Sequence, residues 1–165
     1  GYSGSEDGTK IKFEFTHSGT DYPLGPCYVG HKATSGNVWD FDGNQVQVTF
    51  SAASIINVTS GGAVSDIIDF DFDHTKDIVL SMWLGVATPA RPKITPAPAN
   101  TSMYYGGNVD DSATTAPGGY TDAGQVIQLG EVSVLAIPIG VNGDFYLDET
   151  AGDIWKKESS IWNSK

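Results

Sequence analysis

Alternation of apolar and polar residues at a period of two recurs along this chain and leaves little room for anything but β-structure. In Lys10-Ile11-Lys12-Phe13-Glu14-Phe15-Thr16, Ile11, Phe13 and Phe15 share one face, and the lysines and glutamate take the other. Gln45-Val46-Gln47-Val48-Thr49-Phe50 repeats the pattern with Val46, Val48 and Phe50 inward, and Ile67-Ile68-Asp69-Phe70-Asp71-Phe72-Asp73 repeats it again. Residues 78–84, IVLSMWL, are apolar on both faces, as a central strand covered on two sides would be. Residues 125–137, QVIQLGEVSVLAI, supply a further strand with Gly130 at a bulge or kink. Helical periodicity is almost absent.

Turn signals separate these runs: Asp42-Gly43-Asn44, Ser60-Gly61-Gly62, Gly106-Gly107-Asn108 and Pro117-Gly118-Gly119. Short strands broken so regularly predict an all-β fold, specifically an antiparallel jelly-roll-like β-sandwich. A chain of 165 residues buries roughly 70% of its unfolded surface, enough for one full core. Two segments break the rhythm. Residues 87–100 carry Pro89, Pro92, Pro96 and Pro98, which bars a central strand and predicts an extended surface crossing. Residues 108–124 are small, polar and acidic, and are expected to form a long loop of the kind that carries recognition.

The formal charge is −11, with no Lys/Arg stripe to neutralise phosphates, so neither nucleic acid nor an anionic membrane is an expected partner. No 18-residue apolar run exists, so no membrane insertion is expected. Acidity alone is also what keeps an extracellular protein soluble. The lone Cys27 lies in an apolar run, Pro26-Cys27-Tyr28-Val29, and reads as a small buried hydrophobe. The opening GYSGSEDGT, without Met or signal peptide, is what a domain cut from a longer polypeptide would show.

The last residues are organised differently. Phe145, Tyr146 and Leu147 predict a short strand, Glu149-Thr150-Ala151-Gly152-Asp153 a turn, and Ile154-Trp155-Lys156-Lys157 a returning strand. This small C-terminal β-hairpin divides the chain into a sandwich over 1–139 and a hairpin and linker module over 140–165. Gly143, Asp144, Tyr146, Asp148, Gly152, Asp153, Trp155, Lys156, Lys157 and Trp162 carry a resemblance to the GDxY…GDxYKK…W hairpin of phage tail fibres and collagen-like bacterial surface proteins. The resemblance implies neighbouring trimeric stalks, hence a homotrimer through this module, with Trp155, Ile161 and Trp162 as the contact between chains. It also implies an extracellular or virion-surface location.

A second resemblance spans about residues 10–136. Pro23-Leu24, Tyr28-Val29-Gly30, QVTF, GGAVSDIIDFDF, KDIVLSMWL, NTSMYYGG and GEVSVL together resemble the β-sandwich accessory domain preceding the catalytic domain of some secreted SGNH/GDSL hydrolases. In that family a GDS motif carrying the nucleophilic serine follows the GEVSVL-like block. Here Ile137-Pro138-Ile139-Gly140 follows instead, and Gly143-Asp144 precede Phe145 rather than serine. The resemblance therefore implies the accessory domain without its esterase.

No catalytic residue set emerges. His17, His31 and His74 are isolated in sequence, and no GxSxG elbow, HxxxH or CxxC occurs, so neither an enzyme nor a zinc site is expected. No cofactor is expected, calcium being the alternative. Strand alternation would put Asp69, Asp71 and Asp73 on one face at about 6.6 Å spacing, where a cation could bridge two of them. Asp40-Phe41-Asp42-Gly43-Asn44 has the start of an oxygen-ligand loop, although Ser51 stands where an EF-hand needs glutamate. Both also read simply as a solvated face and a turn.

Aromatic residues offer a different chemistry. Sugars are held by aromatic rings against their C–H faces, with Asp, Asn and Gln fixing hydroxyls. Trp39, Tyr104, Tyr105 and Tyr120, beside Asn100, Asn108, Asp110 and Asp111, suit that task, although rim packing is the plainer role for some of them. Asn57-Val58-Thr59 and Asn100-Thr101-Ser102 are formal glycosylation sequons, relevant only in a eukaryotic secretory host. The expected function is a non-catalytic module binding carbohydrate or a cell surface, an adhesin on a phage or bacterial fibre. Its rivals are a purely structural, self-assembling fibre, capsid or surface protein, and an accessory domain severed from a secreted carbohydrate esterase.

Overall fold

The computed structural model describes residues 7–17, 21–84, 93–94, 102–106, 110–123, 126–127, 129–135, 145–148, 153–158 and 161–164. The regular structure among them is all β, without a helix, so no helix there is long and apolar enough to cross a membrane. In chain order the strands are β1 Gly8–Phe15, β2 Tyr22–Leu24, β3 Cys27–His31, β4 Val46–Val48, β5 Ile56–Val58, β6 Ala63–Val64, β7 Ile68–Phe72 and β8 Ile78–Met82. They continue with β9 Lys93–Ile94, β10 Tyr104–Tyr105, β11 Thr121–Asp122, β12 Val126–Ile127 and β13 Leu129–Leu135. The last three are β14 Phe145–Asp148, β15 Asp153–Glu158 and β16 Ile161–Ser164. The chain divides into two compact units, Gly1–Leu135 and Ala136–Lys165. The Ile137-Pro138-Ile139-Gly140 link, where the sequence puts the boundary, lies outside the described residues.

In the first unit β1 organises one antiparallel sheet. It pairs with β13 along one edge and with β6 and β7 along the other. Its alternation dictates what it buries: Ile11 and Phe13 are fully buried and Phe15 nearly so, each worth about 1.5–3 kcal/mol of apolar burial. Pairing runs from Phe13↔Val132 to Phe15↔Leu129, three steps on β13 against two on β1. The extra residue is a bulge at Gly130-Glu131, where the sequence places one. Strand β7 alternates in the same way, burying Ile68, Phe70 and Phe72 and exposing Asp69 and Asp71.

A second antiparallel sheet has the order β4-β3-β8. The all-apolar run at 78–84 was expected at a sheet centre, but β3 takes the middle and β8 flanks it, all five residues half-buried. A continuous apolar run reports burial on both faces and carries no information about position within a sheet. Cys27, Val29 and Val48 of this sheet join Ile11, Phe13, Phe15, Phe70 and Phe72 of the first in a single hydrophobic core. Phe15 and Phe50 meet in it with ring centroids 5.8 Å apart, tilted by 59°. Smaller antiparallel pairs are β2–β5, β9–β12 and β10–β11. Lys93-Ile94 thus give the proline-rich segment a short strand; its prolines lie outside the described residues.

One turn is chemically unusual. Phe50 and Ala53 exchange backbone hydrogen bonds of 2.8 and 3.0 Å around Ser51 and Ala52, whose φ values are 50° and 64°. Such a turn normally needs Asn-Gly, because side chains crowd the left-handed region. Here the Asp66 carboxylate accepts the Ser51 and Ala52 N–H groups, each at 2.8 Å, and the Thr49 hydroxyl at 2.6 Å. The Thr49 bond, followed by the backbone donors, holds the Asp66 carboxyl below the usual carboxylate range.

The second unit is a sheet of order β14-β15-β16. The two strands of the expected hairpin are present, with Tyr146↔Trp155 and Leu147↔Ile154 as cross-strand partners. A third strand extends it: β16 returns antiparallel to β15 with Lys157↔Trp162 and Glu158↔Ile161. Its sequence, Ile-Trp-Asn-Ser, is too short to show a period, and pairing with β15 is what makes it a strand.

Candidate functional site

The candidate site is built around residues 37–45, 102–106 and 110–123. Asp40 anchors the first segment: its Oδ2 accepts the Asn37 N–H at 2.7 Å and the Asn37 side-chain amide at 3.4 Å, closing a turn in which Gly36 has φ +95°. The acidic loop then docks on this segment. Phe41 N–H donates to Thr115 O at 2.8 Å, and Gln45 Nε2 donates to Ala113 O and Thr115 Oγ1, each at 3.0 Å. Trp39 Nε1 donates to Pro117 O at 2.9 Å. Inside the loop, Asp110 Oδ1 accepts the N–H and hydroxyl of the buried Ser112. What the sequence offers as one long loop is in part a hairpin, since β10 and β11 pair Tyr104↔Asp122 and Tyr105↔Thr121.

This scaffold brings three of the four sequence-selected aromatics together. The Trp39 ring centroid lies 4.8 Å from that of Tyr104 and 5.6 Å from that of Tyr120, at interplanar angles of 50° and 33°. These are favourable tilted ring contacts, each worth about 0.5–1.5 kcal/mol beyond burial. The Tyr120 hydroxyl donates to Asp111 Oδ1. Burial first, and then the Asp111 carboxylate, push the Tyr120 hydroxyl well above its ordinary range, so it remains a donor at physiological pH. Gly106 passes close to this ring, where any side chain would collide with Tyr120.

Tyr105 projects from the opposite face of β10 and is 53% exposed. Asp110 is exposed and Asp111 half-buried. Asn100 and Asn108, the other two residues selected for hydroxyl recognition, lie outside the described residues. Trp39 therefore packs on Tyr104 and Tyr120, whereas Tyr105 and Asp110 are exposed. No Lys or Arg occurs in the sequence between Lys93 and Lys156.

Among the described residues, the five carboxylates selected for calcium do not form a cluster of three with one another. Asp69 is exposed and pairs with Lys10; Asp71 is exposed on the same strand. Asp73 lies beyond the end of β7, where its Oδ1 accepts the Thr75 hydroxyl and N–H at 2.6 and 2.9 Å. Those bonds, with Lys76 nearby, hold the Asp73 carboxyl at about 2. Asp42 Oδ1 accepts the Asn44 N–H at 3.0 Å and closes its own turn. Asp40 is 5% exposed, and its Oδ1 is buried without a hydrogen-bond partner among the described residues. A grouping that sequence spacing did not suggest is Asp7, Asp73 and His74, whose ligand-capable atoms lie within 4.8 Å of one another. No local signal could have found it, since Asp7 and His74 are 67 residues apart.

Each histidine has an aspartate nearby. His74 Nδ1 lies 2.8 Å from Asp7 Oδ1, and His17 Nε2 lies 3.1 Å from Asp21 Oδ1. His31 is buried against the Phe70 ring, accepts the Asp73 N–H at Nε2, and has Nδ1 4.0 Å from Asp42 Oδ2. Cys27 is fully buried in the core, and burial pushes its thiol up to about 12, which leaves almost no thiolate to react at neutral pH. Compared with family models, with curated proteins and with solved structures, the chain has no match in any of the three.

Proposed function

We propose that this chain is a non-catalytic binding module, a jelly-roll-like β-sandwich carried on a phage or bacterial surface fibre, that recognises carbohydrate on a cell surface. The observations that support the reading are the loop of residues 110–120, fixed by Trp39, Phe41 and Gln45, and the exposed Tyr105 on β10. An exposed aromatic beside a loop that is already fixed suits a sugar ring, because the ligand orders no loop on binding. A single core shared by the β1 and β3 sheets is the arrangement expected of a sandwich. The fibre setting and the extracellular or virion-surface location rest on the resemblance of the C-terminal residues.

A glycan array probed with the full chain tests this reading. Binding to one or more glycans, lost in Tyr105→Ala and in Tyr104→Ala while the melting transition stays cooperative, is the expected result. A blank array from folded protein overturns it.

A further inference from the structure

His31 ends β3 and is 6% exposed, its ring lying 4.9 and 6.4 Å from those of Phe70 and Phe72 by centroid. Its Nε2 takes the Asp73 N–H at 3.1 Å. A backbone amide only donates, so Nε2 carries no hydrogen and the neutral ring bears its proton on Nδ1. Nδ1 stands 4.0 Å from Asp42 Oδ2. One backbone donor thus fixes the tautomer of a buried imidazole.

Asp73 opens the turn between β7 and β8. The Lys76 N–H returns to Asp73 O at 3.1 Å, and Asp73 Oδ1 accepts the Thr75 N–H. The next residue, His74, donates its N–H to Asp7 Oδ1 at 3.0 Å and sets Nδ1 against the same atom. At the far end the Lys32 N–H donates to Asp77 O at 2.9 Å, and Lys32 Nζ lies 3.1 Å from Asp77 Oδ2. The turn therefore rests on β3 and its extension at two points, Asp73 on His31 and Asp77 on Lys32. The first depends on an imidazole staying neutral.

The charged groups around the ring decide what a proton does there. Asp42 faces Nδ1, and the Asp73 carboxylate is engaged with Thr75 and Lys76. Asp69 and Asp71 point out of β7, and β4 and β8 carry no charged residue. A proton on Nε2 sets two N–H groups against each other, while Asp42 offers the imidazolium a countercharge on its other side. Protonation breaks one contact and strengthens the other.

We propose that His31 is a proton-operated catch for the β7–β8 turn: neutral, it holds the Asp73 amide; protonated, it turns to Asp42 and lets the amide go. Release alters the cleft that Thr75, Lys76 and Asp77 form with Lys32, Ala33 and Thr34. The catch does not depend on what the chain binds.

NMR of the full chain across about pH 5 to 8, the range in which imidazoles change charge, tests it. At the upper end His31 is expected as the Nδ1–H tautomer, with the Asp73 amide protected from exchange. As the ring takes up its proton, the protection factor of that amide should fall at least about tenfold with the same midpoint. Amides of the β1–β13 ladder should keep theirs. His31→Gln, whose Oε1 keeps an acceptor that takes up no proton, is expected to hold the Asp73 amide's protection level across the range. An Nε2–H tautomer at the upper end overturns the proposal, as does a ring that stays neutral throughout. An Asp73 amide that ignores the ring's titration, or a fall that persists unchanged in His31→Gln, overturns it as well. Where the variant fails to fold, the wild-type titration decides alone.

Discussion

Strands β7 and β15 show what alternation does and does not decide. In β7 every second residue is buried and the residues between are exposed aspartates, so the strand has one wet face and one dry one. The dry face is satisfied within the chain by the core it shares with β1 and β3. In β15 the order Asp-Ile-Trp-Lys-Lys-Glu gives each face one large apolar residue and charges of both signs. A one-sided strand defines the inside of its own domain. A two-sided one does not by its sequence choose which face is inside.

The largest expected effect lies in the one-sided region. Phe13 is fully buried in β1, and Phe13→Ala should cost about 3–5 kcal/mol, read as a fall in the urea midpoint of the main transition. The same truncation at Trp155 should leave that transition in place; if Trp155→Ala costs as much, the contrast between the two regions collapses.

Trp39 comes next. It is half-buried, stacks on two tyrosines and donates to Pro117 O. Trp39→Ala should cost about 2 kcal/mol, whereas Tyr105→Ala should stay within about 0.5 kcal/mol. Equal effects would mean that Tyr105 belongs to the packed cluster.

A smaller effect sits at the end of β7. The Asp73 carboxyl is held at about 2, chiefly by Thr75 and then by Lys76. A depressed carboxylate contributes stability above its unfolded value near 3.9 and loses it as pH falls toward the folded value. Stability should therefore decline between about pH 4 and pH 2, with Asp66 and Asp7 lowered in the same direction. Asp73→Asn should flatten that decline, and an unchanged acid limb in melting experiments would remove Asp73 from the account. The smallest effect is the sharpest test of the comparison. Truncation after Ile139 should leave a cooperative, monomeric unit with circular dichroism showing helix under about 10%, against the usual third. Loss of cooperativity would make the last residues part of the first core.

The buried faces of β1, β4 and β7 were legible in the sequence because period two is a local property, visible wherever one side meets water. Strand β8 was misplaced because an apolar run looks the same at the centre of a sheet and at its flank. β16 escaped notice because four residues show no period and only pairing with β15 defines them. At the site, the sequence singled out Trp39, Tyr104, Tyr105 and Tyr120 but could not reveal that Trp39 packs on Tyr104 and Tyr120, since 65 residues separate Trp39 from Tyr104. It read Asp69, Asp71 and Asp73 as one face because it ran β7 one residue too far; Asp73 belongs to the turn. Asp7 beside His74 is a tertiary fact with no local trace.

The Asp66 turn has an evolutionary reading. Ser51 and Ala52 persist in a left-handed turn because a distant carboxylate holds their N–H groups, so the three positions form one heritable unit. Removing Asp66 first exposes the unfavourable backbone and is selected against. Placing Gly at 52 first relaxes that backbone and frees Asp66 to drift. A double-mutant cycle of Ala52→Gly with Asp66→Asn should give a coupling of about 0.5 kcal/mol or more, the Gly background tolerating the loss better. The order in which substitutions arrive, rather than their sum, then decides which descendants of this hairpin can exist.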